Sequence, residues 1–193
     1  MSYGKRTLFA LKTLVCIIKK QTMAYCSIKF KYLVSFILPM AIRKAKEADY
    51  KKLVKLYSSF FKVHNIFQQD DEKVLLYLKK EAQKNELTVY EEGIEIKAAL
   101  FLVMLGKNAD GTHKLWKFRH FAYESDKIAS QLLAHAEQKV KEKSKTAKIE
   151  LNIAETEKGI DFLKSKGYSQ EGELKNHYRW GESCFVLSKS FSG

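Results

Sequence analysis

Residues 114–167 read KLWKFRHFAYESDKIASQLLAHAEQKVKEKSKTAKIELNIAETEKGIDFLKSKG, and the fold turns on how this stretch is parsed. Residues 114–123 are rich in aromatic and apolar side chains, the composition of a buried strand. Glu124, Ser125 and Asp126 interrupt it, and Ser125 or Asp126 can cap the helix that follows. That helix sets Ile128, Leu132, Leu133, Ala136 and Val140 on one stripe and ends in a lysine-rich run suited to a helix C-terminus. Ile149, Leu151 and Ile153 alternate with polar residues and predict a half-buried strand. Ile160, Phe162 and Leu163 predict a short helix closed by Gly167. A strand that feeds a helix N-terminus presents free backbone N–H groups to an anion such as a pyrophosphate. The two strands flanking the long helix should be parallel neighbours joined by a right-handed crossover.

Outward from this unit, residues 41–45 read as a short strand. A helix begins at Glu47, Ala48 and Asp49, carries Leu53, Leu56, Tyr57, Phe60 and Phe61 on its apolar face, and ends near His64 and Asn65. A second helix covers about 70–84, with Val74, Leu75, Tyr77 and Leu78 inward. Residues 87–90 are a strand, Glu91, Glu92 and Gly93 a tight turn, and 94–105 a long apolar strand that should be central. Residues 106–111 are a turn. After Gly167, residues 168–180 and 183–190 predict a closing antiparallel pair turned at Trp180, Gly181 and Glu182. The order is β-α-α-β-β-β-α-β-α-β-β. The fold class is α/β (α+β): a mixed, mostly antiparallel twisted sheet with helices on both faces.

The chain has 193 residues and 46% hydrophobic content, which fits one globular domain with a sizeable core. Its net charge of +13 is unevenly spread. Residues 1–39 hold seven basic side chains and no acid, which leaves +6 for residues 40–193 and weakens a nucleic-acid argument built on the total. Cys16, Cys26 and Cys184 have no metal-binding spacing, and so sparse a count suggests a reducing cytoplasm. Residues 1–39 form a basic, apolar extension whose two hydrophobic runs fall short of a membrane span. They read as a mis-assigned start or a dispensable leader ahead of Met40, with weak contact to a membrane surface as another reading. Residues 40–193 are the expected domain.

Three stretches carry a likeness to a known family. They are MAIRKAKEADYKKLVKLY at 40–57, the strand and helix at 114–144, and IELNIAETEKGIDFLKSKGYSQEGELKNHYRWGESCFVLSK at 149–189. Together they resemble the GCN5-related N-acetyltransferase (GNAT) superfamily over about four fifths of the chain. The resemblance implies a GNAT-type sheet and acetyl-CoA as cosubstrate. It implies transfer of an acetyl group to an amine by direct attack in a ternary complex. The acceptor is then a protein N-terminus, a lysine or a small amine. It also implies that strands 114–123 and 148–153 splay apart around the pantetheine arm, which bonds to backbone as an added strand does. A monomer or homodimer without specific nucleic-acid binding is expected. The competing reading is a non-catalytic module on this fold that has lost coenzyme binding.

The resemblance also points to residues. The family's pyrophosphate loop, Q/R-x-x-G-x-G/A, falls on Glu124 to Ala129. Only Ala129 fits, and Lys127 occupies a glycine position. Backbone N–H groups of Lys127, Ile128, Ala129 and Ser130 remain the candidates for the pyrophosphate, opposed by the charges of Glu124 and Asp126. Those of a bulge at Phe121, Ala122 and Tyr123 are the candidates for polarising the thioester carbonyl. The tyrosine the family uses as general acid falls on Leu163, and the asparagine that opens the same helix on Glu157. For a general base the candidates are His120, aligned by alternation with Trp116 and Phe118, and Glu150 on the splayed strand. His177 and Tyr178 lie in the last hairpin, which borders the acceptor site in the family. Cys184 and Tyr168 read as core, and His64 and His135 as surface helix residues.

Overall fold

The computed structural model describes residues 40–62 and 65–192. The expectations placed on residues 1–39, including Cys16, Cys26 and the membrane contact, lie outside the described residues, as does His64. Seven strands form one sheet: β1 (Met40–Lys44), β2 (Glu86–Glu92), β3 (Glu95–Lys107), β4 (His113–Tyr123), β5 (Thr146–Ala154), β6 (Ser169–Lys175) and β7 (Ser183–Ser192). Their spatial order is β1-β2-β3-β4-β5-β7-β6. Four helices accompany them: α1 (Tyr50–Phe60), α2 (Asp71–Lys84), α3 (Asp126–Glu142) and α4 (Ile160–Ser165). Each neighbouring pair is antiparallel except β4 and β5, as the strand–helix–strand reading requires.

Each face of the sheet is covered because its strands alternate. Trp116 and Phe118 of β4, with Ile149, Leu151 and Ile153 of β5, meet the stripe Leu132, Leu133, Ala136 and Val140 of α3. On the other face Leu87 and Val89 of β2, with Phe101 of β3, meet Leu53 and Tyr57 of α1 and Val74 and Leu78 of α2. β3 is buried without interruption from Ala98 to Leu102, as a central strand should be. Past that run Met104 and Leu105 are half exposed, beyond the reach of either helical layer.

Three boundaries differ from expectation. Glu47–Asp49 is a single 3₁₀ turn rather than the first turn of α1. Asp49 turns inward there: its carboxylate takes two bonds from Arg43, at 2.6 and 3.0 Å, and one from the Lys46 N–H at 2.7 Å. Second, α1 stops at Phe60, because Asn65 caps a new 3₁₀ turn (Ile66–Gln68) by accepting from Phe67 N at 2.9 Å. Third, the last hairpin opens at Asn176, not at Trp180. Asn176 adopts φ +55° and its Oδ1 accepts from Gly181 N at 2.7 Å, so residues 176–182 form a loop. Gly167 closes α4 at φ +84°, a conformation that favours glycine.

Candidate active site

β4 and β5 pair only from His113/Thr146 to Lys117/Glu150. Beyond that the strands part, and their facing backbone edges have no strand between them. The opening leads into a cavity of about 520 Å³. Phe118, His120, Phe121 and Tyr123 line it from β4, and Leu151, Asn152, Ile153 and Ala154 from β5. Phe60, Phe61, Ile66 and Phe67 close one side, and Tyr178, Arg179 and Glu182 of the β6–β7 loop the other.

A β-bulge shapes this opening. Ala99 pairs with Ala122 but Phe101 with Arg119, so His120 and Phe121 together face Leu100. The bulge therefore lies one residue earlier than expected at Phe121–Tyr123. It also breaks the alternation expected of His120. Phe118 and Phe121 both face α3, whereas His120 points to the α1–α2 side among Tyr57, Phe61, Phe67, Tyr77 and Phe101. His120 adopts φ +52°, a strained value for a residue with a Cβ.

His120 Nε2 lies 2.6 Å from the Tyr77 hydroxyl. Arg119 donates to that same oxygen at 3.2 Å and to Glu81 at 3.0 Å. The Tyr77 hydroxyl and His120 Nε2 thus share one hydrogen bond within a Glu81–Arg119–Tyr77–His120 chain. Burial, with Arg119 and Lys117 nearby, pushes the imidazole down to about 3. The bond to Tyr77 and the lowered pKa both disfavour His120 as a base. Glu150 lies opposite Lys117 and Ser188 in the sheet, 4.0 Å from Lys148, and is not among the cavity's lining residues.

The cavity brings in a carboxylate that sequence reading had noted only as a departure from the family pattern. Glu157 follows β5 in the turn before α4 and lines the cavity. Its Oε2 accepts from Ala154 N at 3.3 Å. Burial and the neighbouring Glu182 raise its pKa. Glu182 is buried and already engaged, accepting from Thr156 Oγ1 at 2.6 Å and from Arg179 at 2.8 Å. Tyr123 is pushed up to about 12 by burial and by Asp126, so it stays a neutral phenol. Leu163 is core, as are Tyr168 and Cys184. Tyr178 lines the cavity, with His177 packed edge-on against it at 4.6 Å.

A second recess adjoins the first beyond Phe60 and Tyr123, whose rings are 4.9 Å apart. It contains the start of α3. Ser125 takes the N-cap position without a side-chain cap bond, so the N–H groups of Asp126, Lys127 and Ile128 have no partner within the helix. Ala129 donates to Ser125 O at 2.9 Å, and Ser130 Oγ folds back onto Asp126 O at 2.7 Å. The free donors are thus fewer than the four expected, and Ala129 is not one of them. Glu124, Asp126, Glu155, Glu157 and Asp161 line this recess against Lys62 and Lys158. Glu124 is paired with Lys97 at 2.8 Å. The parted strands fit an extended pantetheine arm. The helix end fits a diphosphate by its N–H groups and opposes it by its carboxylates.

No family model matches the chain, and no curated protein matches it. Solved structures do. The aminoglycoside 6'-N-acetyltransferase from Enterococcus faecium superimposes with a TM-score of 0.60 at 12% identity, covering 78% of this chain and 96% of that one. The ribosomal-protein-alanine N-acetyltransferase from Brucella melitensis gives 0.58 at 18%, covering 78% and 99%. Arabidopsis thaliana Naa50, solved with the bisubstrate analogue CoA-Ac-MVNAL, gives 0.61 at 17%, covering 79% and 99%. The sheet order, the parted β4 and β5 and these superpositions agree: the chain has the fold of the GCN5-related N-acetyltransferase superfamily.

Proposed function

We propose that the protein transfers an acetyl group from acetyl-CoA to a primary amine. The observation that carries this reading is the cavity where β4 and β5 part, with unpaired backbone edges along it and Glu157 at its lip. Neighbours of the same fold solved with coenzyme A or a coenzyme conjugate support it. Acetyl-CoA would supply the activated acyl group as a thioester, which the amine nitrogen attacks with loss of the thiolate. Phe121 and Tyr123 line the parted edge, with Ala122 between them, and Lys127 and Ile128 offer N–H groups to the diphosphate. Glu157 takes the role first considered for His120 and Glu150. It accepts a proton from the ammonium, and its raised pKa brings it closer to the working pH of a base. The aromatic walls keep water from the thioester.

The acidic recess at the start of α3 favours a second reading, a binding module on this fold that no longer takes coenzyme. One experiment separates the two. The full chain is unfolded thermally with and without acetyl-CoA and CoA. A ligand at 100 times its dissociation constant stabilises by about 2.7 kcal/mol, several degrees of Tm. A shift of that size supports coenzyme use, and mass spectrometry of an amine mixture incubated with acetyl-CoA then tests transfer. No shift at millimolar coenzyme would leave the second reading.

A further inference from the structure

The cavity's wall chemistry restricts what an acceptor can be. Phe60, Phe61 and Ile66 give it an apolar lining, Tyr123 packs on Phe60 at 4.9 Å, and Tyr178 lines it as well. Two carboxylates, Glu157 and Glu182, and two cations, Lys158 and Arg179, line the same space. Glu182 is committed to Thr156 and Arg179. Among the described residues Glu157 is the one carboxylate lining this cavity without a side-chain partner; it accepts from the Ala154 N–H. The cavity can therefore neutralise one ammonium. A polycation entering it would bring further ammonium groups without a free carboxylate in that cavity, beside the Lys158 charge, at a desolvation cost. Glu157 and Lys158 are shared with the other recess, past the Phe60–Tyr123 ring pair, whose further carboxylates are Glu124, Asp126, Glu155 and Asp161. That recess is where the diphosphate end of the coenzyme would sit.

We infer that the acceptor is a monoamine carrying a large apolar group beside its amino nitrogen, with the ammonium at Glu157 and the apolar group against Phe60, Phe61 and Ile66. This rests on the acetyl-transfer reading of the same cavity. The wall gains from each apolar area it covers. A peptide N-terminus beginning with a large apolar residue and a small arylalkylamine share this chemistry.

The test is calorimetric binding to the full chain, with and without saturating CoA, so turnover is not needed. The probes are phenethylamine, the tetrapeptide amides Phe-Ala-Ala-Ala and Gly-Ala-Ala-Ala, and the aminoglycoside kanamycin. The apolar amines should bind at least about tenfold tighter than the glycine peptide or kanamycin. Ile66→Ala, a change in the first cavity and not in the recess at the start of α3, should remove most of that preference. Glu157→Gln should weaken all amines alike. Phenethylamine binding as well as the phenylalanine peptide points to a small amine, and a clear excess for the peptide points to an N-terminus. Equal binding of the two peptides, tighter binding of kanamycin, or no amine binding at millimolar concentration overturns the inference. An apolar preference in a chain that binds no CoA keeps the wall's selectivity but removes acetyl transfer, and overturns the assignment of the amine as an acceptor.

Discussion

At His120 three features act on one side chain: a left-handed φ of +52°, a 2.6 Å bond to Tyr77 and burial among aromatic rings. Together they hold it within the bulge of β4. Its pKa of about 3 lies below the ordinary 6.5, so the unfolded chain binds the proton more readily. Stability is therefore full above about 6.5 and falls as pH drops toward 3. His120→Asn, which tolerates the left-handed conformation, should flatten that fall when unfolding free energy is measured across the acid range. An unchanged pH slope would mean that His120 is not held neutral in the fold. His120→Val, strained at the same φ, should cost about 1–3 kcal/mol more than the asparagine variant.

Two element ends behave as electrostatic joints. Arg43 of β1 binds Asp49 before α1 and also Glu91 of β2 at 2.7 Å, so one guanidinium ties two strands to a helix entrance. Asp49 is nearly inaccessible, and the Arg43 bonds hold its carboxyl below the ordinary 3.8. Its contribution is present above that value and lost as pH falls through the depressed one. Asp49→Asn leaves the Arg43 charge partly uncompensated and should cost about 3 kcal/mol, read as a lower urea midpoint with unchanged m. Loss of less than about 0.5 kcal/mol would place the pair with ordinary surface bridges. At the start of α3, Glu124 and Asp126 oppose any bound diphosphate. Glu124→Gln with Asp126→Asn should tighten CoA binding about two- to fivefold by calorimetry. Weaker binding would show that the carboxylates hold the loop open rather than repel the ligand.

Across the molecule, both apolar layers and all seven strands lie within the described residues from Met40 onward. A chain beginning at Met40 is proposed to be the whole folding unit. It should unfold in one cooperative transition within a few degrees of the full chain, by calorimetry. A broad or strongly lowered transition would mean that residues 1–39 contribute to the core. No helix among the described residues is long and apolar enough to cross a membrane.

The element order, the parallel β4–β5 neighbours, the α3 stripe and the glycine stop of α4 were legible in the sequence, because each rests on local periodicity or on one backbone preference. The same is true of the glycine-poor start of α3. The His120 orientation was not legible. A bulge inserts one residue into an alternation, and only pairing with β3 shows where. Nor was the ending of α1 at Phe60, since Asn65 caps a turn that an apolar helical pattern runs straight through. Glu157 was visible as a letter out of pattern, but its isolation in an aromatic cavity depends on Glu182 being occupied by Arg179 and Thr156. A side chain's partners and its distance from water belong to the packed chain. That is why the sequence alone determined the sheet and helices of this protein, and only the tertiary structure decided which charges remain free to meet a substrate.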